Sequence, residues 1–166
     1  MEQTITKTTA PSRWLGAFAG LITVVVGLLA YLSPLTTTAF IGIAPLATAL
    51  LAYMTWRRLR GSLKGAALMI TMDLSAIVGL VLLFTNITSA PEIGLLVGLW
   101  LTVDAATWIG LNKMTPYPRL SKFNSSLGLI LGIALILIGL LTPFTSFTMN
   151  SLFILCYGVI VTTRAF

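Results

Sequence analysis

Six apolar stretches alternate with short connections along this chain, and its basic residues fall on every second connection. Seven of the ten Lys and Arg residues lie in two connections, 57–64 and 113–122. The other three are Lys7 and Arg13, before the first stretch, and Arg164 after the last, and the remaining connections hold none. Because short cytoplasmic loops of membrane proteins collect Lys and Arg, this alternation predicts six membrane spans with both termini in the cytoplasm.

The composition agrees with a membrane protein that has no soluble domain. Hydrophobic residues make up 57% of the chain and charged residues 8%, whereas a soluble domain carries about 25% charged residues. A helix needs roughly 17–25 apolar residues to cross the hydrocarbon core, and each stretch is about that long. The predicted spans are 14–32, 38–56, 63–84, 92–112, 126–141 and 146–163.

The fold class predicted from these spans is an all-α polytopic membrane protein. Backbone groups in lipid must be hydrogen-bonded within their own segment, which favours helices. Short connections make consecutive helices antiparallel neighbours, so the predicted unit is a helical hairpin. The domain organisation is then a cytoplasmic tail, 1–13, and one transmembrane domain, 14–166, with hairpins at 14–56, 63–112 and 126–163.

The hairpins carry an internal repeat. Glycines of span one recur in span five at an offset of 112, as Gly16, Gly20, Gly27 and Gly128, Gly132, Gly139. Hairpins one and two match at an offset of 52, through Gly27 and Gly79, Ile41-Gly42 and Ile93-Gly94, and Thr55-Trp56 and Thr107-Trp108. All three copies run in the same direction, so the sequence predicts three parallel repeats rather than an inverted one.

The glycines of spans one and five have the spacing of a packing surface. Residues four and seven apart lie on one face of a helix, so each set forms a groove without side chains. Small residues at this spacing let helix backbones approach closely in lipid. Both grooves are predicted to pack against other helices, either within one chain or between protomers.

The repeated pattern resembles the HdeD-like acid-resistance membrane proteins. Each unit has a glycine-rich helix, a proline stop, and a second helix that ends at Trp and an Arg-rich turn. The residues that carry the likeness are Gly20, Gly27, Leu28, Leu29, Pro34, Gly42, Trp56, Arg57, Arg58, Gly79, Gly139 and Pro143. The second hairpin departs from the pattern, with Leu68 and Met72 in place of its first two glycines. The resemblance implies a bacterial inner-membrane protein linked to survival under acid or other stress, and it supplies no catalytic residues.

Two acidic residues, Asp73 and Asp104, lie inside predicted spans three and four. An acid at this depth costs about 2.5–3.5 kcal/mol on insertion scales and therefore calls for a reason. Asp73 lies nine residues after Lys64 and Asp104 nine residues before Lys113, so the two acids are expected at the same depth. The spans contain no Lys or Arg away from their ends. The acids are predicted to lie close enough to share a proton or a water.

Hydrogen-bond donors surround Asp104 at helical spacing. Trp100 and Trp108 lie four residues to either side of it, and Thr107 lies three residues after it. One interpretation is a proton or cation site formed by the two acids and these three residues. The other is that hydrogen-bonded acids hold helices together.

The content of His and Cys and the net charge narrow the classes of function that this chain can have. The chain has no His and one Cys, Cys156, which excludes Ser-His-Asp and Cys-His catalysis. No enzyme activity, cofactor or metal is therefore expected. The net charge of +6 favours contact with anionic lipid headgroups over nucleic acid. The first hypothesis is a structural or stress-protective protein, possible partners being lipids, further copies or other membrane proteins. The alternative is a small proton- or cation-linked transporter or channel that uses Asp73 and Asp104.

Overall fold

The chain folds into six α-helices, described here from a computed structural model. The structure describes residues 13–33, 38–58, 63–85, 87, 89–114, 119–141 and 146–164, so most of the predicted cytoplasmic tail lies outside the described residues. The helices are α1 Arg13–Leu32, α2 Thr38–Arg58, α3 Leu63–Phe84, α4 Ala90–Met114, α5 Arg119–Leu141 and α6 Phe147–Arg164. No strand occurs in these ranges, which confirms the predicted all-α class.

The helix boundaries follow the apolar stretches closely, with one clear exception. The observed α3 coincides with the predicted span, whereas α5 begins at Arg119, well before the predicted start at Ser126. Residues 119–125 are mostly polar, but they contain neither Gly nor Pro to interrupt a helix. Hydropathy marks the part of a helix that suits lipid, and the helix itself continues beyond that part.

Five of the six helices are long and apolar enough to cross a membrane. These are α1 to α5, whereas the apolar stretch of α6, Phe147–Thr163, is shorter. Large apolar side chains cover the outer surface, among them Phe18, Ile70, Phe84 and Ile130, each more than 60% exposed. Such an apolar exterior suits lipid contact, and we describe the chain as a multi-pass membrane protein.

The closest helix pairs are not the hairpins. The most extensive contacts join α1 to α6, α2 to α3, and α4 to α5, and the hairpin partners α1 and α2, α3 and α4, and α5 and α6 touch less. These contacts close the six helices into a ring, and α4 also touches α6. Half of the α2 span and 44% of the α4 span are buried, against 33% or less in α1, α3 and α5. The even-numbered α2 and α4 therefore lie further inside.

Glycines lie at the closest approaches between α1 and α6. The α1 backbone at Gly20 lies directly against Thr162, and a Cβ atom added at Gly27 would lie 2.6 Å from the Leu155 nitrogen. In the other direction, a Cβ at Gly158 of α6 would lie 2.5 Å from the Val24 nitrogen. Only hydrogen fits between these backbones.

The α4–α5 and α2–α3 pairs are built in the same way. A Cβ at Gly132 of α5 would lie 2.6 Å from the Thr102 nitrogen, and one at Gly139 would lie 3.2 Å from Leu95 Cγ. Gly42 and Gly79 face each other between α2 and α3. Of the other two glycines in the predicted grooves, Gly16 is half-buried and Gly128 is buried.

Candidate functional site

The buried acid, Asp104, lies between α4 and α6. Its side chain is 3% exposed, and its carboxylate accepts a hydrogen bond from the hydroxyl of Tyr157, which is fully buried. A carboxylate in a low-dielectric interior requires such donors, because burying it unpaired is costly. The role of Tyr157 was not predicted from the sequence, because a single tyrosine in an apolar span carries no signal of its own.

A second hydrogen bond ties α4 to α2. The indole Nε1 of Trp100 donates to Thr48 Oγ1 at 2.9 Å, and that hydroxyl donates in turn to the Pro45 carbonyl at 2.9 Å. Trp100 is fully buried, and Thr48 is 2% exposed. The hydroxyl of Thr48 therefore uses both its acceptor and its donor capacity, which satisfies the indole at the same time.

Trp100 and Tyr157 join the two hydrogen bonds into one cluster. Their rings meet edge to face, with centroids 5.5 Å apart and planes at 75°. Trp100 and Asp104 are four residues apart on α4, so they lie on one face, and Tyr157 of α6 contacts both. We call Thr48, Trp100, Asp104 and Tyr157 the central polar cluster. It connects α2, α4 and α6, the second helices of the three predicted hairpins.

The other predicted partners of Asp104 have different neighbours. Thr107 hydrogen-bonds Thr71 of α3, with 2.5 Å between the hydroxyl oxygens. Trp108 is half-buried and packs against an apolar cluster of Ala52, Leu68 and Leu111. Of the three residues predicted around Asp104, only Trp100 therefore belongs to the central polar cluster. It reaches Asp104 through its contact with Tyr157, and its indole donates to Thr48 and not to the acid.

Asp73 lies on the outer face of α3 and is exposed. Thr71, two residues earlier, bonds α4, and two residues turn a helix by about 200°, so Asp73 faces away from α4. Among the described residues, no donor bonds its carboxyl group. The predicted sharing of a proton or a water with Asp104 does not match this arrangement, in which one acid faces inward and the other outward.

Two further polar side chains, Asn150 and Ser75, are buried in the interior. Asn150 of α6 donates from Nδ2 to the Ala90 carbonyl at 2.9 Å, which ties α6 to the start of α4. Its Oδ1 and the hydroxyl of Ser75 are buried, and neither has a hydrogen-bond partner among the described residues. In the described ranges, no three His, Cys, Asp or Glu side chains come together.

Comparison with known protein families, with characterised proteins and with solved structures finds no match for this chain.

Proposed function

We propose that this chain is a structural, non-catalytic protein of the bacterial inner membrane, of the HdeD-like acid- and stress-resistance type. The observation that carries the proposal is the position of Asp104. Its carboxylate is sealed between packed helices and bonded to Tyr157, which is the arrangement of an acid that fastens helices together. A transport site would instead need acids along one hydrated passage, and Asp73 lies on the outer face.

The proposed architecture is three parallel hairpin repeats. Support comes from the close contacts of two helix pairs, which correspond position by position. The contacts of Gly20 with Thr162, Val24 with Gly158, and Gly27 with Leu155 join α1 to α6. The α4–α5 pair repeats these contacts, with α5 in the place of α1 and α4 in the place of α6. Adding 112 to the α1 numbers and subtracting 60 from the α6 numbers gives the observed contacts of Gly132 with Thr102, Ile136 with Gly98, and Gly139 with Leu95. The α2–α3 pair occupies the third equivalent position in the ring.

The proposed topology has six spans, with α6 as the sixth, and both termini in the cytoplasm. It rests on the ten Lys and Arg residues, all of which it assigns to one side. Reporter fusions at Ser33, Ser89 and Ser146 should read as external, and fusions within 59–62 and 115–118 as cytoplasmic. A cytoplasmic signal at Ser89 would contradict the topology, because that connection lies between the two basic ones.

The functional test compares two substitutions of Asp104 in bacteria exposed to acid. Cells that express the wild-type chain should survive better than cells without it. Asp104→Asn should keep this protection, because an amide oxygen accepts the Tyr157 hydrogen bond without titrating. Asp104→Leu should lose both protection and stability, since it leaves the buried hydroxyl of Tyr157 without this acceptor.

The alternative, a proton- or cation-linked transporter, predicts the opposite for the conservative variant. Asp104→Asn would then fold normally but lose protection and lose proton movement in reconstituted vesicles. That result would overturn the structural proposal, and so would a wild-type chain that gives no protection. Folding of each variant is checked by its melting temperature in detergent.

A further inference from the structure

The outer face of α3 carries an acidic residue, Asp73, whereas the outer faces of α1 and α5 carry none along the ranges compared below. Its exposed side chains include Met69, Ile70, Ile77 and Leu80, with Asp73 in their midst. We call this the α3 outer face. The exposed residues of α1 from Leu21 to Leu32 and those of α5 from Ile130 to Leu141 are hydrophobic, and the one hydroxyl among them belongs to Tyr31, next to the end of α1. Lipid alone satisfies those two faces, but it offers no partner to a carboxyl group.

Asp73 lies too deep to reach water along the helix. It is the eleventh of the 22 residues of α3. At about 1.5 Å per residue, its Cα lies roughly 15 Å from either end of the helix. An aspartate side chain is short, whereas the long side chains of Lys and Arg can reach the interface from near helix ends. The carboxyl group therefore needs a partner at its own depth.

A second copy of the chain supplies such a partner. Every copy inserts in the same orientation, so its α3 presents an identical carboxyl at an identical depth. A twofold axis along the membrane normal brings the same patch of both copies together. The chain's Lys and Arg residues lie in the connections, at span ends and in the termini, so no base of either copy stands mid-span. A protonated carboxyl donates to an ionised one, which makes two Asp73 side chains complementary when they share a proton.

We propose that two copies pair through the α3 outer face, and that their Asp73 carboxyls form a proton-sharing pair at the centre of the dimer. Neither copy contains this site alone. Met69, Ile70, Ile77 and Leu80 surround it with apolar side chains that exclude water and strengthen the hydrogen bond. The inference rests on the membrane location and not on a role in acid resistance.

Dimerisation in lipid vesicles tests the pair directly. Fluorescently labelled protein is diluted with lipid, and energy transfer between copies gives the dimerisation constant. The wild type should dimerise, and Asp73→Asn should retain the dimer, because amide groups also hydrogen-bond between helices in lipid. Asp73→Leu should weaken dimerisation about tenfold, which corresponds to ~1.4 kcal/mol. Ile133→Leu, on the outer face of α5, is the matched control and should change nothing.

Cross-linking tests the same interface with Asp73 in place. The single cysteine, Cys156, is exposed and is first replaced by Ser. Ile70→Cys or Ile77→Cys should then cross-link two copies, and Ile133→Cys should not. A wild type that stays monomeric at every lipid dilution would overturn the proposal. So would an Asp73→Leu variant that dimerises as well as the wild type, equal cross-linking at Ile133, or capture of a different protein at Ile70 in place of a second copy. The proposed function is read from the acid survival of cells with Asp104 variants, whereas pairing is read from dimerisation and cross-linking of chains that keep Asp104, so this proposal and the proposed function fail separately.

Discussion

Gly132→Leu should destabilise the protein by about 3 kcal/mol or more, the upper end of the cost of overpacking a core. A Cβ atom at Gly132 would lie 2.6 Å from the backbone nitrogen of Thr102. Backbone atoms cannot rotate away as a side chain can, so α5 must move off α4 along its length. The measurement is the free energy of unfolding in detergent, with the melting temperature as a check. Gly20→Leu should have a similar effect, because it meets Thr162 in the corresponding contact between α1 and α6.

The chain contains a matched control for this substitution. Gly110 also lies within a helix, α4, but among the described residues a Cβ atom added there would meet nothing within 4 Å apart from its own stretch of helix. Gly110→Leu should therefore leave stability unchanged or raise it by a few tenths of a kcal/mol, because Leu is the better helix former. Equal losses at Gly132 and Gly110 would show that the glycines act through the helix backbone and not through packing between helices.

Trp100→Ala should lower the free energy of unfolding by about 3–5 kcal/mol. The substitution leaves a cavity at the point where α2, α4 and α6 meet and removes the donor to Thr48 and the ring contact with Tyr157. Truncation of a large aromatic side chain in a well-packed interior forfeits most of its dispersion contacts. Unfolding in detergent measures the loss.

Two variants separate the packing of the Trp100 side chain from its hydrogen bond to Thr48. Trp14→Ala removes the same side chain where it is 80% exposed, and it should cost little. Thr48→Val keeps the shape but removes the acceptor of the indole, and it should cost about 1 kcal/mol. If Thr48→Val cost as much as Trp100→Ala, the hydrogen bond rather than the packing would dominate. If Trp100→Ala were as mild as Trp14→Ala, the central polar cluster would not hold the helices together.

The sequence was sufficient to predict the number of helices and most of their boundaries. Apolar stretches of the right length, separated by prolines, glycines and polar residues, leave few alternatives for a backbone in lipid. The observed α3 matches its prediction at both ends. The start of α5 was missed because hydropathy marks the lipid-facing part of a helix, and nothing in residues 119–125 interrupts the helix. The spacing also identified glycine faces, since four and seven residues return to the same side of a helix.

The tertiary structure decided which helices meet and what each polar residue contacts. Helical periodicity places Gly16, Gly20 and Gly27 on one side of α1, but it does not show that α6 fills that groove. Asp73 and Asp104 have the same predicted depth, yet Asp73 faces outward and Asp104 bonds Tyr157, 53 residues further along the chain. In a soluble protein, the polar face of an amphipathic helix turns toward water, so the sequence predicts the rotation of the helix. In lipid, both the exterior and the core are apolar, so rotation is fixed only by the fit of small residues and by buried hydrogen bonds between helices distant in sequence.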